Sequence, residues 1–119
     1  MTPINIFDYV ASDTLVLDVA VVDKKTGRSM SLVGASVTWT LRPVRIGWVG
    51  DAVVTLENSG VSPGIVFIDA AKGRLRVTLA KDVLTIPGNY TNALEIELSS
   101  GDRETVGGGP FVCLAVPVS

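Results

Sequence analysis

The chain has no histidine and a single cysteine, Cys113, in 119 residues. Without imidazole there is no thiolate-imidazole pair and no histidine metal site. With one thiol there is no intrachain disulfide, so packing alone must hold the fold. No stretch approaches the roughly 18 uninterrupted apolar residues of a membrane span, and Lys and Arg are spread along the chain rather than massed in a basic cluster. A membrane and a nucleic acid are therefore not expected as partners. Residues 1–10 lack the basic start and apolar run of a signal peptide, which predicts cytoplasmic synthesis.

What is present is apolar and rich in glycine. The length fits one domain spanning 1–119. The 10 basic and 12 acidic residues leave a net charge of -2. Hydrophobic residues make up 47%, mean hydropathy is +0.44 and there are 12 glycines. Such a composition fits a dense β core with apolar loops, or a domain that buries surface against another subunit.

Period-two alternation recurs between clusters of Gly, Pro, Asn and Asp, the pattern of short strands joined by turns. "TLVLDVAVVD" puts Leu15, Leu17, Val19 and Val21 on one face, and "KKTGRS" supplies a turn with Gly27. "ASVTWTLRP" alternates from Ala35 to Leu41 around Trp39, and Pro43 is expected to end that strand. "VRIGWVGD" is a loop or an edge strand carrying Trp48, and "AVVTLEN" resumes with Ala52, Val54 and Leu56 inward. "SGVSPG" and "AAKG" bracket the apolar "IVFID". "GRLRVTL" buries Leu75, Val77 and Leu79 and leaves Arg74 and Arg76 to water.

"AKDVLTI" has room for one helical turn between sheets, and "SSGDRE" makes a hairpin. Gly107, Gly108 and Gly109 suggest a bulge or bend before the last strand, "PFVCLAVPVS".

Seven or eight short antiparallel strands with one crossover fit an all-β, immunoglobulin-like Greek-key β-sandwich, with a small barrel as the second architecture. The stretch "TIPGNYTNALEIEL" supports the sandwich. Leu84, Pro87, Gly88 and Tyr90 give an apolar plug, a fixed φ, a permissive turn position and a ring, in the order of a tyrosine corner. From Tyr90 the strand alternates with Leu94, Ile96 and Leu98 inward and Asn92 as the one polar inward residue. Trp39 matches the buried strand-C tryptophan of that architecture.

Catalytic constellations are absent from the pattern. There is no GxSxG, and Cys113 lies in an apolar strand where a thiol behaves as a small hydrophobe. Glu95 and Glu97 share one exposed face of a regular strand, without the enclosed setting that a pair of catalytic carboxylates needs. Asp13, Asp18 and Asp23 lack calcium-loop spacing, and the triple glycine does not join a strand to a helix as a phosphate loop must. Asn89-Tyr90-Thr91 matches a glycosylation sequon, which a chain without a leader does not present to the modifying enzyme. The expectation is a protein that is not an enzyme, with no cofactor and no metal.

Three stretches, "GASVTWTL", "GIVFIDAAKGRLRVTLAKDVLTIPGNYTNALEIEL" and "SSGDRETVGGGPFVC", together resemble small immunoglobulin-like modules of tailed-phage baseplate and tail proteins. They are similar in particular to the N-terminal domain of phage baseplate upper proteins. The resemblance covers residues 30–114 and implies a non-enzymatic structural protein of a phage or prophage virion. It would self-associate, as a trimer or hexamer, and position other virion proteins. Candidate interface residues are Ile4, Ile6, Phe7, Ile46, Trp48, Val112, Leu114 and Val116. The alternative is a carbohydrate-binding or adhesin module with Trp48 stacking on a sugar beside Arg42, Arg45 and Asp51.

Overall fold

The computed structural model describes residues 2–23, 25–60 and 63–117. Parts of the turns expected at 24–29 and 59–64, and the last two residues of the chain, lie outside them. The described residues form an all-β structure of two sheets and no α-helix. The first sheet contains β1 (Thr2–Pro3), β2 (Ile6–Val10), β4 (Ser36–Arg45), β5 (Trp48–Val49), β6 (Val54–Glu57), β9 (Gly88–Glu97) and β10 (Arg103–Leu114). The second is β3 (Leu15–Ala20), β8 (Arg74–Leu79) and β7 (Ile65–Asp69), with β8 in the middle.

The inward faces of both sheets meet in one apolar cluster that includes Trp39, Leu41, Leu75, Leu79, Leu94, Ile96 and Phe111. This is a sandwich-like arrangement, and alternation explains it. In β4, β8 and β9 every second residue is buried: Val37, Trp39 and Leu41; Leu75, Val77 and Leu79; Tyr90, Asn92, Leu94 and Ile96. In β7 Ile65 is buried and Phe67 packs against the core, while Val66 and Ile68 face solvent. The turn after β7 is a single 3-10 turn, Ala70–Lys72, capped by the Asp69 carboxylate. It closes with Gly73 at φ 72, where an added Cβ would collide with Met30 O and Val21 O.

Four expectations are corrected. First, the described residues form ten strands, and not all are antiparallel: β1 and β2 run parallel to β10 along the sheet edge. Second, Pro43 does not end β4, which continues to Arg45. The carbonyls of Leu41 and Pro43 accept from Val53 N and Gly50 N, so the missing Pro43 N–H points to the same side, where the chain bends between β5 and β6. No ladder bond to β9 is lost there.

Third, residues 80–86 contain no helical turn. Asp82 sits at φ 64, a left-handed conformation that stops a helix, and its N–H bonds to Ser12 O at 3.0 Å. Fourth, Gly107–Gly109 lie inside β10 rather than before it, with the register shift between Thr105 and Gly107. A Cβ on Gly108 would stand 2.6 Å from Asn92 O, and one on Gly109 would strike Asn5. The glycines let the first residues of the chain and β9 close on β10 from both sides.

Candidate functional site

Tyr90 opens the inward face of β9, with its hydroxyl donating to Ile86 O at 2.6 Å across Pro87 and Gly88. Leu84 is buried behind the same bend, and Ser12 N donates to Leu84 O at 2.8 Å. Tyr9 makes a second closure that sequence reasoning missed, its hydroxyl donating to Asp13 O at 2.6 Å. Both rings meet Phe111, with centroids 6.4 Å away for Tyr90 and 5.3 Å for Tyr9. Burial raises the pKa of each phenol, with the charges of Asp13 and Asp82 adding to the effect at Tyr9. Burial likewise raises the Cys113 thiol, which keeps it protonated and unreactive.

Trp39 is fully buried and stacks edge-on to Phe111 at 6.1 Å. Its Nε1 donates to Asn92 Oδ1 at 3.2 Å. The Asn92 amide donates in turn to Ile4 O at 2.8 Å and Gly109 O at 2.9 Å. Asn92 thus joins the core to the N-terminal edge. The polar intrusion seen in the sequence is fully used.

The candidate interface residues separate. Ile4 is 7% exposed and belongs to the chain's own core, so it is withdrawn from the surface set. Ile6 packs partly against the core and Val112 is half-buried. Phe7, Ile46, Trp48, Leu114 and Val116 are exposed, joined by Val49, Val83 and Ile86. The register shows how most of these come together. Pro43 pairs with Tyr90, Tyr90 with Phe111 and Phe111 with Ile6. The β4–β5 hairpin tip, the Ile86–Pro87 bend and the end of β10 all lie beyond that row, at one end of the larger sheet.

Trp48 is half-exposed on this hairpin, but its indole lies against Gly50, where a Cβ would stand 2.6 Å from it. The Arg45 guanidinium is 5.8 Å from the ring centroid. A sugar stacking on that face of the ring would compete with the cation. Asp18 is held by Arg76 at 2.7 Å on the outer face of the smaller sheet, which lowers its pKa through the hydrogen bond and charge of the arginine. Among the described residues no group of three or more Cys, Asp or Glu side chains is gathered as a metal site would require.

No protein-family model, curated protein or solved structure matches this chain. Its chemistry must therefore be argued from the surfaces themselves. A groove of about 330 Å³ runs between the N-terminal edge and β3, lined by Ile4, Ile6, Leu17 and Val19 among others. A smaller one of about 110 Å³ lies on the outer face of the larger sheet beside Ser36, Thr38, Glu95, Glu97 and Arg103. Neither brings a nucleophile against a base.

Proposed function

We propose that this chain is a non-enzymatic assembly module of a phage or prophage tail or baseplate, which self-associates and positions other virion components. In this reading the sandwich follows an immunoglobulin-like Greek-key plan, and Tyr90 and Ile86 form its tyrosine corner. The observation that carries the proposal is the apolar end of the larger sheet: Ile46, Trp48, Val49, Ile86, Leu114 and Val116 are all exposed there. Large apolar side chains gathered on one surface mark a contact that buries them. Synthesis in the bacterial cytoplasm and residence in the virion follow from the same reading.

The test is solution mass by size-exclusion chromatography with light scattering. An oligomer is expected, and Leu114→Asp with Val116→Asp should lower its mass while the circular dichroism of the folded chain persists. A monomeric wild-type protein would refute self-association. An oligomer of unchanged mass in the double variant would remove the apolar end from the contact.

A further inference from the structure

We infer that two copies of this chain pair face to face across the outer surface of the larger sheet; the inference rests on the assembly reading and names its first contact. The cross-strand register places Thr55, Thr40 and Ala93 in one row across β6, β4 and β9. These side chains are small, so the middle of the face is flat. Two residues along β4 on one side stands Thr38, with Glu57 opposite it on β6 and Glu95 opposite it on β9. Two residues along on the other side stands Arg42, which is exposed.

The three charges are uncompensated. No ion pair among the described residues involves Glu57, Glu95 or Arg42. The arginine makes one long approach of 3.5 Å to Gly50 O. A cation and two carboxylates thus lie at equal distances on opposite sides of Thr40, about 7 Å away along the strand on each side.

A two-fold axis along the Thr55–Thr40–Ala93 row reverses strand direction and lays β4 over its own copy. Arg42 of one protomer then faces Thr38 of the other and falls between that copy's Glu57 and Glu95. The same pairing recurs across the axis, as an isologous interface requires. At the usual spacing of about 10 Å between packed sheets, an arginine spans the gap and the Thr and Ala row fills the centre. Glu97 and Arg103, already paired at 3.3 Å, come over the Val44 and Asn89 level and add no net charge. The apolar end stays outside this contact, free for further copies or other virion components. A hexamer would consist of three such pairs.

The test is charge exchange, read by light scattering and sedimentation. Arg42→Glu alone and Glu95→Arg alone should each weaken pairing by roughly tenfold or more, the scale of close interfacial charge pairs. The double variant should pair more tightly than either single variant without regaining wild-type strength, since the swap restores the contact at position 95 while the unchanged Glu57 opposes it. Should either reversal fail to fold, Arg42→Gln and Glu95→Gln in salt between about 50 and 500 mM replace it. Pairing of the wild type should weaken with salt, that of Glu95→Gln should weaken less, and that of Arg42→Gln should not weaken. A trimer, or an even oligomer insensitive to both reversals, would overturn the face-to-face pair and leave the assembly reading standing. A monomer at all concentrations would overturn both.

Discussion

Asn92 offers the sharpest quantitative test of the fold. Every buried side-chain nitrogen and oxygen among the described residues has a partner, and Asn92 supplies three of those bonds. Asn92→Ala would leave the Trp39 indole N–H without an acceptor inside the core and take the amide donor from Ile4 O. Gly109 O keeps a weak approach from Thr91 Oγ1 at 3.4 Å. An orphaned buried polar group costs about 1–3 kcal/mol. Two of them plus a small cavity predict a loss of about 3–5 kcal/mol, against a typical total of about 5–15 kcal/mol.

The assay is urea unfolding followed by circular dichroism, with the slope m as a check that the end states are unchanged. Trp39→Phe removes the indole donor, so Asn92→Ala should cost less in that background. A coupling of about 1 kcal/mol or more is expected from the cycle. A loss below about 1 kcal/mol for Asn92→Ala at unchanged m would refute the claim that this amide joins the core to the N-terminal edge.

Other outcomes follow from the same contacts. Tyr90→Phe and Tyr9→Phe each remove one 2.6 Å bond to a backbone carbonyl and should each cost about 1 kcal/mol in the same titration. Both phenols have folded pKa values above the unfolded one, so below about pH 10 neither state ionises and their contribution is intact. As pH rises further the unfolded chain loses these protons first, so stability should fall, and should fall less in the Tyr9→Phe, Tyr90→Phe double variant. Gly108→Ala places a methyl 2.6 Å from Asn92 O and should cost several times more than Gly27→Ala, whose Cβ meets nothing within 4 Å; both φ values are positive, and a denaturation midpoint compares them. Native Cys113 should resist a thiol reagent at pH 8 and react at the unfolding rate, while fast labelling would contradict its burial.

Much of the two-sheet framework was legible because alternation is a direct record of burial. Arg74, Arg76 and Thr78 against Leu75, Val77 and Leu79 permit one facing only, and β4 and β9 are as clear. What alternation does not carry is the identity of a strand's neighbour. Ile4 and Ile6 alternate with Asn5, but alternation gives no sign that their segment runs parallel to β10, since the pairing lies at the far end of the chain. Pro43 misled because its effect depends on which side its nitrogen faces, a tertiary property. Asp82 misled because an aspartate tolerates a left-handed conformation that the apolar spacing of Val83, Leu84 and Ile86 does not reveal. The candidate surface was less legible still. Exposure of Ile46, Leu114 and Val116 cannot be told from burial of Ile4 by residue type, and the charges of Arg42, Glu57 and Glu95 gain meaning only once the register aligns them.

The edge made by β1 and β2 sets an order of events for the growing chain. Thr2 pairs with Gly107 and Ile6 with Phe111, contacts separated by roughly a hundred residues. Residues 2–10 leave the ribosome well before β10 and have no place to dock until it has emerged and zipped onto β9. Closing so long a loop is entropically slow, and it is the last ladder that can form. Until then the Asn92 amide lacks the Ile4 carbonyl. Until that segment docks, the glycine run remains an open strand edge on β10.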